Sequence, residues 1–206
     1  MRDGGRTVPS PDQVQVPAEE LRATCVAIWE KAGLPPGDAA VVAEAMVLAD
    51  LRGVDFEGVS LLPIYVRRVQ LGLTNPRPQL TVLRETAATA LLDGDRGQGH
   101  VVATQAMKRA MGLAERSGVG LVGVRNSSHF GMAAAYAMMP LKRDMVGLVV
   151  DSGRALMPPW GGAEPRVTSS PVAIAVPAGQ ERPVVLDMAM SAVARGRIKE
   201  FRARGE

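Results

Sequence analysis

The amino-acid sequence predicts an α/β (α+β) chain: a tail of residues 1–16 without order, a helical N-terminal segment over residues 17–75, and a mixed α/β segment over residues 76–206. Three observations carry this expectation. Apolar residues recur at helical spacing through the first third of the chain. After Asn75-Pro76-Arg77-Pro78 the pattern changes to short β-rich runs that alternate with helical ones. The longest uncharged apolar stretch, residues 130–141, is too short to span a bilayer and contains Pro140, so it reads as a buried helix.

Taken in order, residues 1–16 mix Gly, Pro, Asp and Gln with no apolar period. Pro17 suits a first helical turn, and the carboxylates of Glu19 and Glu20 suit the positive end of the helix dipole. Leu21, Cys25 and Ile28 then fall on one face, and Gly33 is a stop signal. Asp38 is the expected cap of a second helix carrying Val41, Val42, Ala45, Met46 and Leu48 up to Gly53. A third helix runs through Leu61, Leu62, Tyr65, Val66 and Val69 to Gly72. Strands are expected at 80–83 and 86–92, the second closed by Asp93-Gly94. An amphipathic helix follows over 101–116, then strands at 119–124, 146–150, 172–176 and 183–186, with a helix over 132–143 between the first two. The sequence contains no internal repeat and no low-complexity tract.

Composition narrows the function classes. Aromatic residues make up 3% of the chain, which removes the stacking platforms of single-strand nucleic-acid modules. The net charge of +3 arises entirely in residues 195–206, because residues 1–194 hold 19 basic and 19 acidic side chains. A sequence pI near 9.4 therefore describes one terminal segment, and no nucleic-acid partner is expected. One cysteine, Cys25, excludes an internal disulfide and a multi-thiolate zinc site, and fits a reducing, cytoplasmic compartment. The start has no apolar signal segment, so neither secretion nor a membrane partner is expected.

Most motifs fail on inspection. Gly118-Val119-Gly120-Leu121-Val122-Gly123 matches the dinucleotide fingerprint G-x-G-x-x-G, but a helix precedes it and its glycines lie inside a strand. They read as permission for close packing. Gly94, Gly97 and Gly99 read as a turn into the next helix. None of the four lysines follows a glycine, so there is no P-loop, and two histidines cannot build a multi-histidine metal site. No Gly-x-Ser-x-Gly elbow supports a serine hydrolase. His100, at a helix start, reads as a surface or capping residue. His129 differs: it sits in Asn126-Ser127-Ser128-His129-Phe130-Gly131, between a strand and an apolar helix, where functional groups converge.

The run from Val124 to Gly131 resembles the signature of the malate/L-lactate dehydrogenase-type oxidoreductases, a non-Rossmann family. The likeness extends in order along the chain. Ala49-Asp50-Leu51-Arg52-Gly53-Val54-Asp55, Pro63-Ile64-Tyr65-Val66 and Gly72-Leu73-Thr74-Asn75-Pro76 resemble the family's upstream motifs. Pro159-Trp160-Gly161-Gly162 and Val185-Leu186-Asp187-Met188-Ala189-Met190-Ser191 resemble its downstream ones. The resemblance implies a mixed-sheet nicotinamide-cofactor domain of the L-sulfolactate dehydrogenase-like type, incomplete at its C-terminus. It also implies hydride transfer between NAD or NADP and a small molecule, in homodimers: a 2-hydroxy acid and its 2-oxo acid, or a cyclic imino acid. Carried over by position, His129 is the proton-transfer residue, and Gly153, Ser169, Ser170, Asp187, Met188 and Ala189 meet the cofactor. Chemically this is coherent, because withdrawing a hydride from a carbinol requires a base for its hydroxyl proton, and histidine titrates near neutral pH. Asp187 also reads as a cap for the terminal helix, and Trp160 as either a cofactor cover or a turn residue.

Departures from the family pattern fall mostly on the substrate side. Phe56-Glu57 stands where the family has Ser-His, and Leu61 where it places an arginine for the substrate carboxylate. The cofactor loop Gly-Thr-Asn-Pro becomes Thr168-Ser169-Ser170-Pro171. Leucine cannot form a bidentate carboxylate clamp, and Glu57 either places negative charge beside an anionic acid or is a solvated loop residue. The expectation therefore moves toward a neutral or cationic substrate, with a catalytically silent or truncated member, retaining fold and association only, as the alternative. Family members continue for roughly another hundred residues, a length within a two-domain expectation.

Overall fold

A computed structural model describes residues 14–205, so the expected tail lies, up to residue 13, outside the described residues. The chain is mixed α/β, with helices first and two three-stranded sheets after them. Helix α1 (Ala18–Lys31) has acids in its first turn and Lys31 in its last. It stops at Gly33, whose φ of +102° lets Leu34 N–H reach back to the Trp29 carbonyl at 3.1 Å. In helix α2 (Pro36–Leu51) Pro36 occupies the first helical position. A proline there needs no N–H partner, so Asp38, the expected cap, lies inside the first turn and makes no capping bond. Helix α3 (Leu62–Gln70) follows two 3₁₀ turns, Asp55–Glu57 and Val59–Leu61, that the periodicity did not reveal. Cys25, Trp29, Leu34, Val42, Met46 and Tyr65 form the core of this part, which Val101 joins from the next helix.

The first sheet has the order β1-β2-β3, from β1 (Thr81–Glu85), β2 (Thr89–Gly97) and β3 (Leu121–Ser127). Strands β2 and β3 are parallel and joined by helix α4 (Gly99–Ser117), a βαβ unit. Gly118, at φ +78°, ends α4, and a Cβ on Gly120 would lie 1.9 Å from the Ala110 carbonyl oxygen. Gly120 is thus the close-packing contact that the sequence indicated, whereas Gly118 caps the helix and both precede the strand instead of lying inside it. Strand β2 runs past its expected end at Asp93-Gly94. Asp93 accepts hydrogen bonds from Arg125 and Asn126 of β3, at 2.9 and 3.0 Å, and the register shifts between Asp93 and Gly97. Gly94 and Gly97 therefore belong to the strand instead of a turn.

The second sheet, antiparallel throughout, has the order β4-β5-β6, from β4 (Gly147–Val150), β5 (Val172–Val176) and β6 (Val184–Met188). The expected helix over 132–143 is broken into α5 (Ala134–Ala137) and a 3₁₀ segment, Met139–Arg143. Pro140, which has no N–H for an α-helical bond, lies in the second piece. Ala133, Ala137, Ala173 and Ala175 form a thin core here, flanked by Phe130, Val149 and Val185. The chain closes on helix α6 (Arg195–Arg204). No helix among the described residues is long and apolar enough to cross a membrane.

The opposite face of the second sheet is apolar and exposed. Leu148, Val150, Val184, Leu186 and Met188 all lie on it, Leu148 at 58% exposure, with Leu148, Ile174 and Leu186 in cross-strand register. Patches of this kind bind apolar solutes. The chain is expected to enhance anilinonaphthalene sulfonate fluorescence at neutral pH, and Leu186→Lys to reduce that signal by about half. Equal fluorescence from the two proteins would show that the dye binds elsewhere.

Candidate functional site

The residues after β3 form the site. Ser128 Oγ accepts from Gly99 N–H and donates to the Gly97 carbonyl, both at 2.9 Å, and so pins the loop across the start of α4. A Cβ on Gly99 would lie 2.3 Å from the Ser128 and His129 carbonyl oxygens, so this crossing requires glycine. At Gly131 φ is +70°, and a Cβ would meet His100 Nε2 at 2.9 Å. The loop holds His129 with its side chain 54% exposed. Nδ1 of the ring lies 2.6 Å from the Tyr65 hydroxyl and accepts Gly131 N–H at 3.3 Å. Nε2 lies 3.5 Å from Glu57 Oε2.

Tyr65 reaches His129 from α3. It is buried, and that burial pushes its phenol far above the ordinary tyrosine range, so the hydroxyl keeps its proton. His100 corrects the sequence reading: it is no surface residue but 1% exposed. Its Nδ1 lies 3.0 Å from Gln98 Nε2, and its ring meets Tyr65 edge-on at 5.4 Å. Gln98 thus pairs with Nδ1, while the ring Nε2 is buried with no hydrogen-bond partner among the described residues. Burial, and secondarily the charge of nearby His129, push the His100 pKa down to about 3, so it is neutral at physiological pH. A histidine beside a glycine carries no sequence signal of such burial.

Glu57 is not a solvated acid either, since its side chain is only 22% exposed. It sits in the Asp55–Glu57 turn, and the next residue must be glycine because a Cβ on Gly58 would fall 1.8 Å from Asp50 Oδ1. Asp50 Oδ2 in turn accepts Val59 N–H at 3.1 Å, and burial pushes its carboxyl above the usual range. Phe56 is occupied with α6: the Arg197 guanidinium lies 5.5 Å above its ring, and Gly196 packs against its edge. Leu61 packs against the helical core.

The residues matched to cofactor contacts gather at one end of the second sheet, where Val150, Val172 and Met188 align. Gly153 N–H and Ser170 N–H both point to Thr168 Oγ1, at 3.3 and 3.4 Å, and Met190 N–H bonds to the Ser169 carbonyl at 2.7 Å. Met188 ends β6, with Ala189 next. Asp187 Oδ2 accepts Ala134 N–H at 2.7 Å, so the carboxylate caps α5 and not the terminal helix. Phe130 links the two groups, stacking on His129 at 6.4 Å and packing against the cluster of Ala133, Ala137, Ala173 and Ala175. Trp160 is fully exposed in a turn closed by Gly162 N–H to the Pro159 carbonyl at 2.9 Å. Among the described residues no group of three His, Cys, Asp or Glu side chains is placed to hold a metal ion.

The sequence profile described as malate/L-lactate dehydrogenase matches residues 16–206. The chain is 40% identical over 193 residues to a malate dehydrogenase of Pyrococcus abyssi, covering 94% of this chain and 53% of that enzyme. It is 37% identical over 182 residues to an L-sulfolactate dehydrogenase of Methanocaldococcus jannaschii, covering 88% of this chain and 53% of that one. Among solved structures, malate dehydrogenase from Pyrococcus horikoshii superposes with a TM-score of 0.90 at 39% identity, over 92% of this chain and 54% of that protein. The chain spans about half the length of the curated relatives it matches.

Proposed function

The chain belongs to the malate/L-lactate dehydrogenase family, and from that premise we propose that it serves hydride transfer between NAD or NADP and a small 2-hydroxy acid or its 2-oxo form, or a cyclic imino acid. The observation that carries the reading is the half-exposed imidazole of His129, anchored through Nδ1 by Tyr65 and linked by Phe130 to the end of the second sheet. In this reading His129 takes the hydroxyl proton on oxidation and returns it on reduction. Gly153, Ser169, Ser170, Asp187, Met188 and Ala189 hold the cofactor. The donor set suits a nicotinamide carboxamide and ribose: the hydroxyls of Ser169 and Ser170 are neutral, and a Cβ on Gly153 would meet only Thr168 Oγ1, at 3.6 Å, which leaves room beside the backbone. The nicotinamide, when bound, supplies or accepts the hydride. We further propose a homodimer in a reducing, cytoplasmic compartment, with residues 17–75 and 76–206 as its two segments.

A second reading, a silent family member that keeps fold and association, is favoured by Leu61 at the position of a carboxylate clamp. Titration with NADH and NADPH, followed by turnover assays on 2-oxo acids and cyclic imines, separates the two. Saturable binding with turnover is expected. Binding without turnover selects the silent member, and the absence of saturable binding overturns the cofactor assignment.

A further inference from the structure

We infer that Tyr65 is a positioning residue for proton transfer, its hydroxyl fixing His129 through Nδ1 so that Nε2 is the atom that exchanges a proton with the substrate. The inference rests on the reading of His129 given above. Nδ1 is enclosed by the Tyr65 hydroxyl at 2.6 Å and Gly131 N–H at 3.3 Å, whereas Nε2 is on the other edge of the half-exposed ring, 3.5 Å from Glu57. The two groups at Nδ1 are not equivalent. A backbone N–H can only donate, so Gly131 favours a bare Nδ1 and a proton already on Nε2, the tautomer that cannot act as a base there. A hydroxyl donates or accepts by rotating about its C–O bond, and Tyr65 can therefore support either tautomer and the imidazolium at one N···O distance.

The proton count follows from this. On oxidation of a carbinol, the C–H electron pair leaves as hydride to the nicotinamide, the O–H proton passes to Nε2, and the ring becomes an imidazolium whose Nδ1–H is accepted by the Tyr65 oxygen. Reduction runs the same transfers backward. Tyr65 itself neither gains nor loses a proton, because its buried phenol is held far above the pH at which it would ionise. Its ring is braced by the edge of His100 at 5.4 Å, and the phenol comes from a helix in the core, so the hydroxyl has a fixed place to act from.

Tyr65→Phe removes the hydroxyl and keeps the ring. Only two histidines are present, so nitrogen-15 spectra of histidine-labelled wild type and variant can be followed through a pH titration. The variant is expected to move neutral His129 toward the Nε2–H tautomer, since Gly131 alone then faces Nδ1. In turnover, kcat is expected to fall by about 10-fold, part of the about 10²–10⁴-fold typical of a general acid–base, with KM little changed and the histidine limb of the pH profile displaced. Identical nitrogen shifts and titrations in the two proteins would overturn the inference, as would a rise in KM at constant kcat. An inactive wild type would count against the functional reading alone, and the nitrogen spectra would still decide for or against Tyr65.

Discussion

Replacing His129 by glutamine is expected to lower the rate of hydride transfer by about 10²- to 10⁴-fold, the range that a positioned general acid–base supplies. Glutamine retains a carbonyl oxygen that can accept from Tyr65, but it cannot take up a proton. Oxidation then leaves the hydroxyl proton to water, and the carbonyl develops without a base in contact with it. Folding should survive the change, because the His129 side chain is half exposed and its loop is held by Ser128, Gly99 and Gly131. Cofactor affinity should also survive, since the residues assigned to it lie at the end of the second sheet. Single-turnover absorbance at 340 nm, set beside NADH binding and a thermal melt, checks all three. A variant that retains the wild-type transfer rate would remove His129 from the chemistry.

Some of this arrangement was legible from local pattern and some was not, for physical reasons. The limits of β5 and the course of α1 and α4 followed from periodicity, because each buries one continuous face. Where a long-range contact decides, local pattern failed. Asp93 keeps β2 going through partners on β3, more than thirty residues away, and the helix expected over 132–143 yields to Pro140 and to a capping carboxylate, Asp187, from β6. His129 stood out because a strand-to-helix loop exposes it and because its neighbours resemble a family signature. Tyr65 read as an apolar-face residue within a family-like run, with no sign of its contact to His129, since its hydroxyl finds its partner 64 residues on. Glu57 was visible as a substitution, while its approach to Nε2 depends on a 3₁₀ turn that follows from Gly58 fitting against Asp50. The antiparallel register of β4, β5 and β6, which no motif encodes, draws Gly153, Ser169, Ser170 and Asp187 to one end of the sheet.

Acid should destabilise the fold through the buried ring of His100. Its folded pKa of about 3 lies below the ordinary histidine value, so the unfolded chain binds this proton more readily than the folded one. The neutral ring's contribution is therefore complete above about pH 6.5, declines as pH falls through that value, and is exhausted near the folded pKa. Across that window the loss is on the order of 5 kcal/mol, a large part of the about 5–15 kcal/mol that holds a typical domain together. Half-buried Asp50 works in the opposite direction, since its raised carboxyl pKa makes the folded state the better proton acceptor as the solution becomes acidic. The comparison must therefore be made between proteins that differ only at His100. His100→Gln keeps an acceptor for Gln98 and removes the titration, so whatever its stability at pH 7, its slope against pH should be flatter. Urea unfolding at pH 7, 6, 5 and 4 should show wild type losing about 1.4 kcal/mol more than the variant for each pH unit below the histidine pKa. Parallel curves would mean that the ring takes up its proton without leaving the fold. Because His100 braces Tyr65, and Tyr65 holds His129, activity should fail in the same pH window and recover on neutralisation only in step with refolding.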